Sequence, residues 1–165
     1  MNKKMNIVRY LRAVLRLDSM EEIAFEFLSS KLTSIIFSRS DETTLRKGPF
    51  EISPEIKMHF EKKSDLDISV DLKVILNNSN LPFKFDVCFQ GIFKLNRNVT
   101  DAELERIALV NCSAALFPFV REAIADITRR SGLPPLLLPS VNFVQVHNNK
   151  DKQPNTCDNC QEQFT

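Results

Sequence analysis

Residues 66–76, LDISVDLKVIL, constrain the fold more than any other stretch of this chain. Leu66, Ile68, Val70, Leu72, Val74 and Leu76 alternate with Asp67, Ser69, Asp71 and Lys73. Successive side chains of a strand point to opposite sides, so this period of two predicts a β-strand with one apolar and one polar face. Three further stretches carry a related signal. FEFLSSKLTSIIFSR, Phe25 to Arg39, alternates at Thr33, Ile35 and Phe37. ISPEIKMHFEKK sets Ile56, Met58 and Phe60 against Lys57, His59 and Glu61, and LPFKFDVCFQGIFKL continues with Phe83, Phe85, Val87 and Phe89. NNSN, Asn77 to Asn80, predicts a tight hairpin, and Gly91 predicts a bulge or bend. Strands with one polar face form an antiparallel sheet whose other face must be covered.

The cover follows in sequence. Thr100-Asp101-Ala102-Glu103 is a capping box, in which the hydroxyl and the carboxylate satisfy orphan amides of a first helical turn. Leu104, Ile107, Ala108, Asn111, Ala115 and Ile124 ride on the helix that follows; Arg129 and Arg130 complement its negative end and Gly132 stops it. Pro118 lies inside this helix and predicts a kink or a division. The predicted fold class is α+β: a four-stranded antiparallel sheet packed against a long broken helix, with a short C-terminal helix after Pro139. Between the helices stands SGLPPLLLPSVNF, Ser131 to Phe143, whose three consecutive leucines are framed by prolines that bar both helix and strand. A run this apolar in a loop needs a reason.

The chain of 165 residues is one domain's worth, and its net charge of +1 supplies no field for nucleic acid or anionic lipid. The N-terminal MNKKMNIVRYLRAVLRL has no signal-peptide core, because Arg9, Arg12 and Arg16 interrupt it. No run reaches the roughly 18 apolar residues of a membrane span, so no stable membrane insertion is expected. The expected compartment is the cytoplasm, with reduced cysteines. Cys88 and Cys112 then act as small buried hydrophobes, and the Asn98 sequon carries no glycan. In residues 5–17, Ile7, Leu11, Val14 and Leu15 fall at helical spacing with the arginines mostly opposite. Such a helix packs on the protein's own surface or a subunit contact, or it binds a membrane surface or a partner.

No enzyme is expected. Three isolated glycines make no phosphate loop, and of the two histidines His59 occupies the solvent side of a strand. No nucleophile, base and orienter come together in the pattern. The C-terminal CDNC, Cys157 and Cys160, has metal-ligand or redox spacing, with His147 as a possible third ligand. A disordered tail without metal, a zinc site and a redox pair all stay open, although structural zinc wants four ligands.

Three stretches resemble the SecB family of bacterial export chaperones: FQGIFKL (Phe89 to Leu95), NCSAALFPFVREAIADITRRSGLPPLLLPSVNF (Asn111 to Phe143) and, more loosely, ISPEIKMHFE (Ile52 to Glu61). The similarity is good over residues 89–146, while residues 1–24 and 148–165 have no counterpart. This divides the chain into an N-terminal extension (1–20), a SecB-like domain (21–147) and a polar, disordered tail (148–165).

The resemblance implies an ATP-independent holdase without cofactor or metal, assembled as a dimer of dimers through sheet edges and the long helix. It implies long apolar grooves that hold unfolded polypeptides, with LPPLLLPS as a lid-like loop, part of which packs on its own sheet. By matching position, Phe50, Ile52, Leu136, Leu138, Val141 and Phe143 contact clients, and Phe117, Phe119, Arg121 and Glu122 serve packing and tetramer assembly. Export members are strongly acidic and present carboxylates to the translocation motor SecA; this chain is nearly neutral. Three functions follow: a chaperone dedicated to one client such as an antitoxin, a general export chaperone delivering preproteins to SecA, or an adaptor that binds a folded partner.

Overall fold

The computed structural model describes residues 24–39, 52–79 and 81–150. The helix expected at 5–17, Phe50, and the Cys157/Cys160 pair lie outside these residues. Four strands form one antiparallel sheet: β1 (Phe25–Arg39), β2 (Glu55–Lys62), β3 (Asp67–Leu76) and β4 (Phe83–Leu95), in the order β1-β4-β3-β2. The alternation in β3 is realised as predicted, because Ile68, Val70, Leu72, Val74 and Leu76 are all buried. Opposite them in β4 stand Phe93, Gly91, Phe89, Val87 and Phe85, so the two central strands build one continuous apolar face. The link between them is longer than the predicted tight hairpin: residues 77–82 separate the strands, and buried Leu81 anchors the link while its N–H donates to the Asn78 carbonyl at 3.1 Å.

Gly91 makes no bulge. It pairs in register with Val70 on one side and Ser30 on the other. The irregularities sit on β1, where Leu28 and Thr33 are extra residues between Phe27 and Ser29 and between Leu32 and Ser34. Thr33 is therefore not part of a simple alternation, and its hydroxyl donates to the Cys88 carbonyl at 3.0 Å. What requires glycine at 91 is crowding from the helix above it and from the Phe93 ring of its own strand. A Cβ there would stand 2.7 Å from Leu116 Cδ2 and 2.7 Å from Phe93 Cε2.

That helix covers the apolar face. The capping box forms as predicted: the Thr100 N–H and hydroxyl both donate to Glu103 at 2.9 Å, and the Glu103 N–H returns to the Thr100 hydroxyl. Helix α1 (Asp101–Arg106) passes into a π-helical stretch (Ile107–Cys112) and then into α2 (Ser113–Arg130). The predicted break is real but its place is different. Pro118 lies within α2, and the wide turns occur about two to three turns earlier, where the Ser113 N–H reaches back to the Ala108 carbonyl. By length and composition the run Asp101–Arg130 would suffice to cross a membrane, contrary to the reading of the bare sequence. Its apolar side is instead core, since Leu104, Ala108, Cys112, Leu116, Val120 and Ile124 are buried.

Helix α2 ends in a Schellman motif. Gly132 has φ +79°, its N–H donates to the Arg129 carbonyl, and the Leu133 N–H reaches back to the Thr128 carbonyl, both at 3.1 Å. The Arg39 guanidinium donates to the Ser131 carbonyl, tying the end of β1 to this cap. After an extended segment, α3 (Phe143–Lys150) closes the described chain, reaching three residues past the domain edge expected at 147. Asn142 caps it by accepting from the Gln145 N–H at 3.2 Å.

Two measurements test this account. Burial pushes the Cys112 thiol up to about 12, so the reactive thiolate is scarce at neutral pH. Alkylation of Cys112 read by mass spectrometry should be negligible in the native protein at pH 8 and rapid in denaturant; equal rates would refute the buried placement. At the helix ends, hydrogen bonds from the Thr100 backbone and hydroxyl hold Glu103 below its usual value, and those from Arg130 and Arg129 do the same for Asp126. A carboxylate whose folded pKa is depressed stabilises above its unfolded value and loses that contribution as pH falls through the folded one. The melting temperature should therefore decline gradually as pH drops below 4.5 and then 3.8, the ordinary values of the two groups. A flat profile there would mean that neither the Glu103 capping box nor the Asp126 pairs with Arg129 and Arg130 form in solution.

Candidate client-binding surface

The proline-framed loop, residues 133–142, leaves the cap of α2 and crosses to α3. Its three leucines have three different fates. Leu138 is 1% exposed and belongs to the core, Leu136 is half-buried against it, and Leu137 is 69% exposed. Pro134, Pro135 and Pro139 lack N–H groups and fix their own φ, so the segment holds its shape with few hydrogen bonds. Ile52 and Val141 are half-buried and pack on the core margin.

Phe143, expected to line a groove, is 5% exposed; its ring meets Phe117 edge-on at 5.6 Å. Leu138 and Phe143 are thus interior in this conformation, for one reason: the loop folds back on α2 and turns its alternate apolar side chains inward. Of the expected contacts, Leu136, Val141 and Ile52 remain partly open, and Leu137 is the residue that sequence reading passed over. Its signal was present, because three leucines in an extended run cannot all face one way.

The residues expected to serve packing and assembly divide as well. Phe117 is buried, with the Arg121 guanidinium 5.9 Å above its ring, while Glu122 is exposed. Phe119 is 37% exposed and faces β1, its ring centroid 5.7 Å from Phe27 and 6.4 Å from Phe89.

It belongs to a second apolar surface. β1 is an edge strand that exposes Phe27, Leu28, Leu32, Ile35 and Ile36, the last to 62%. The apolar neighbours Phe27-Leu28 and Ile35-Ile36 put such groups on both sides of the strand, where β3 keeps one side polar. The opposite edge differs. β2 carries Glu55, Lys57, Glu61 and Lys62 in eight residues, with Lys57 paired to Glu55 at 3.4 Å and Lys63 paired to Glu61. Charges of this kind deter pairing with another chain, and β1 lacks them over most of its length.

On the sheet face away from the helix, Lys73 and Asp86 form a half-buried pair at 2.9 Å, and Gln90 donates to Asp71 at 3.0 Å. A shallow hollow of about 350 Å³ lies at one end of this face, between Ile36, Ile75, Lys84 and Asp86. Charges of both signs alternate there, and no acidic field dominates. Among the described residues, no group of three or more His, Cys, Asp or Glu side chains stands close enough to hold a metal.

Comparison with known proteins bears on this arrangement. The family described as preprotein translocase subunit SecB matches residues 33–154. A protein-export protein SecB from Azorhizobium caulinodans is 31% identical over 104 residues, 61% of this chain and 64% of that one. The match therefore spans slightly under two thirds of that relative's length. A protein-export protein SecB from Neisseria meningitidis is 28% identical over 128 residues, covering 75% of this chain and 86% of the relative. Among solved structures, the Mycobacterium tuberculosis SecB-like chaperone in complex with a ChAD peptide from the HigA1 antitoxin has a TM-score of 0.56 at 20% identity, covering 71% of this chain and 90% of that one. A protein of unknown function from Streptococcus agalactiae gives 0.52 at 11% identity, with 72% and 99% covered.

Proposed function

This chain belongs to the SecB family, and from that premise we propose that it is an ATP-independent holdase, not an enzyme, working in the cytoplasm without a cofactor and capturing unfolded polypeptides on the proline-framed loop. The observation that carries the reading is Leu137, held 69% exposed between half-buried Leu136 and interior Leu138. Burying one leucine-sized side chain is worth about 1.5–3 kcal/mol, and several such contacts give useful affinity without demanding a sequence. Ile52 and Val141 flank the loop as further contacts.

The test is refolding of an unrelated denatured protein without ATP. Slowed refolding with an isolable complex is the expected result; unhindered refolding at excess chaperone would end the general-holdase reading. Within that assay, Leu137→Asp should weaken capture about tenfold, the equivalent of about 1.4 kcal/mol, with an unchanged melting temperature. Undiminished capture would move the client surface elsewhere. Phe143→Asp would be a poor probe, because it would bury a carboxylate against Phe117 and unfold the protomer.

For assembly we favour a homotetramer, a dimer of dimers in which β1 edges pair and α2, with Phe119, closes the second contact. The unguarded edge of β1 and the patch around Phe27 and Phe119 support this. Phe117 and Arg121 then act from within, by shaping α2.

The dedicated role is our first choice of client range. The balanced charge of the outward sheet face offers SecA no acidic landing surface, and the M. tuberculosis neighbour was solved with an antitoxin peptide. The general export role, delivery of preproteins to SecA, keeps support from the curated relatives named protein-export protein SecB. Titration with the C-terminal zinc segment of SecA decides between them: binding favours export, and its failure alongside capture of an antitoxin segment favours the dedicated role. An adaptor would bind folded partners and ignore unfolded ones.

A further inference from the structure

The hydroxyl of Thr128 has an unusual set of partners. Thr128 is fully buried in the last turn of α2, where its Oγ1 donates within the helix to the Ile124 carbonyl at 2.8 Å or the Ala125 carbonyl at 3.0 Å. The same oxygen accepts from the Leu136 N–H at 2.9 Å, eight residues onward. Between the Leu133 N–H, which completes the helix cap, and Asn142, which begins the next one, this is the one hydrogen bond shown from the loop to the body of the protein among the described residues. The loop is thus a strap held by one hydrogen bond, at Leu136, and by apolar contacts that are deepest at Leu138 and shallower at Leu136 and Val141. Its prolines at 134, 135 and 139 make the part between them stiff, so it would swing as a unit about its ends.

Building on the holdase reading, we propose that the Thr128 hydroxyl is the latch of this strap, and that clients are captured by its unlatched form, which presents Leu136 and Leu138 together with Leu137. In the latched form only Leu137 is fully offered. Unlatching frees the Leu136 N–H to water and withdraws Leu138 from its socket, so the client inherits apolar surface that the strap had been occupying. Apparent affinity then scales with the fraction of protein whose strap is open. Thr128 is accordingly a positioning residue: it touches no client and acts through the leucines.

The latch can be cut with little change of shape. Thr128→Val keeps the volume and leaves the part-buried Leu136 N–H without its partner whenever the strap is closed, a penalty that the open form escapes. The probe is reduced, carboxymethylated lactalbumin, which stays unfolded. Affinity of Thr128→Val for this probe should rise about tenfold over the parent. Exchange of the Leu136 amide should accelerate in parallel, and Thr128→Ser, which retains the hydroxyl, should restore both parental values. A purely structural threonine would leave capture unchanged or weakened when removed, and either result overturns the latch. If the valine variant does not fold, the parent decides: saturation with the probe should reduce protection of the Leu136 amide, and maintained protection refutes the proposal. A parent that binds no probe removes the holdase reading and this inference together. A parent that binds it, with a valine variant that binds no tighter, removes the latch alone.

Discussion

Lysines at both Leu28 and Ile36 should reduce the proposed tetramer to single protomers while leaving the protomer's own melting temperature nearly unchanged. Both side chains stand largely free in the protomer, so little intramolecular packing is lost. Ile36 is also directly opposite Asp86 on β4, so a lysine there gains a cross-strand partner of opposite charge. The free edge responds differently. β1 is fifteen residues long, carries only Glu26, Lys31 and Arg39 as charges, and exposes apolar groups on both sides. Lysine on an edge strand is the usual guard against pairing with another chain, and two of them replace side chains worth about 1.5–3 kcal/mol each when buried. The dissociation constant of the assembly should rise at least about 100-fold. Light scattering on a sizing column at micromolar protein reads this directly. An oligomer that persists would place assembly on another surface, whereas Lys57→Glu on the charged β2 edge should have no effect in either case.

The same contrast between strands explains what could be read from the sequence. β3 was legible because it is central: both neighbours are sheet, one side is core, and the period of two has no competitor. The capping box and the Schellman turn at Gly132 were legible because each satisfies orphan helix groups with residues close in sequence. β1 was legible as a strand but not in its register, since bulges at Leu28 and Thr33 are settled by pairing with β4, some sixty residues away. The helix break was expected at Pro118, whose lost N–H is a local fact, whereas the wide turns lie at Ile107–Cys112. In the loop, the apolar run announced a surface, but the choice of Leu137 outward and Leu138 inward rests on the Thr128 hydroxyl and the core beneath. Family likeness pointed to Phe143, whose ring is closed against Phe117 in the protomer, and the likeness alone carries no signal for that closure.

Gly91→Val should be the most destabilising single substitution of a residue that has no side chain to lose. Gly91 sits beneath Leu116 of α2, and an added Cβ would meet Leu116 Cδ2 and Phe93 Cε2 at 2.7 Å, closer than such contacts tolerate. Neither neighbour has anywhere to go, because both are fully buried. Phe93 is further held by Phe25 and Phe27, with ring centroids at 5.8 and 5.1 Å, so displacing it pushes on the aromatic edge of β1. Overpacking a core typically costs 1–3 kcal/mol, and two unyielding contacts place this site at about 3 kcal/mol. That corresponds to a fall of about 10 °C in melting temperature for a chain of this size. The physical cause has its own signature in a double substitution. Leu116→Ala alone should cost about 2–5 kcal/mol through the cavity it leaves, yet in the Gly91→Val background the valine fills part of that space, so the pair should cost clearly less than the sum. Strict additivity, or a Gly91→Val protein that melts with the parent, would mean that helix and sheet do not approach each other this closely. The client surface would feel the difference too, because α2 carries at its far end the Thr128 hydroxyl on which the loop is hung.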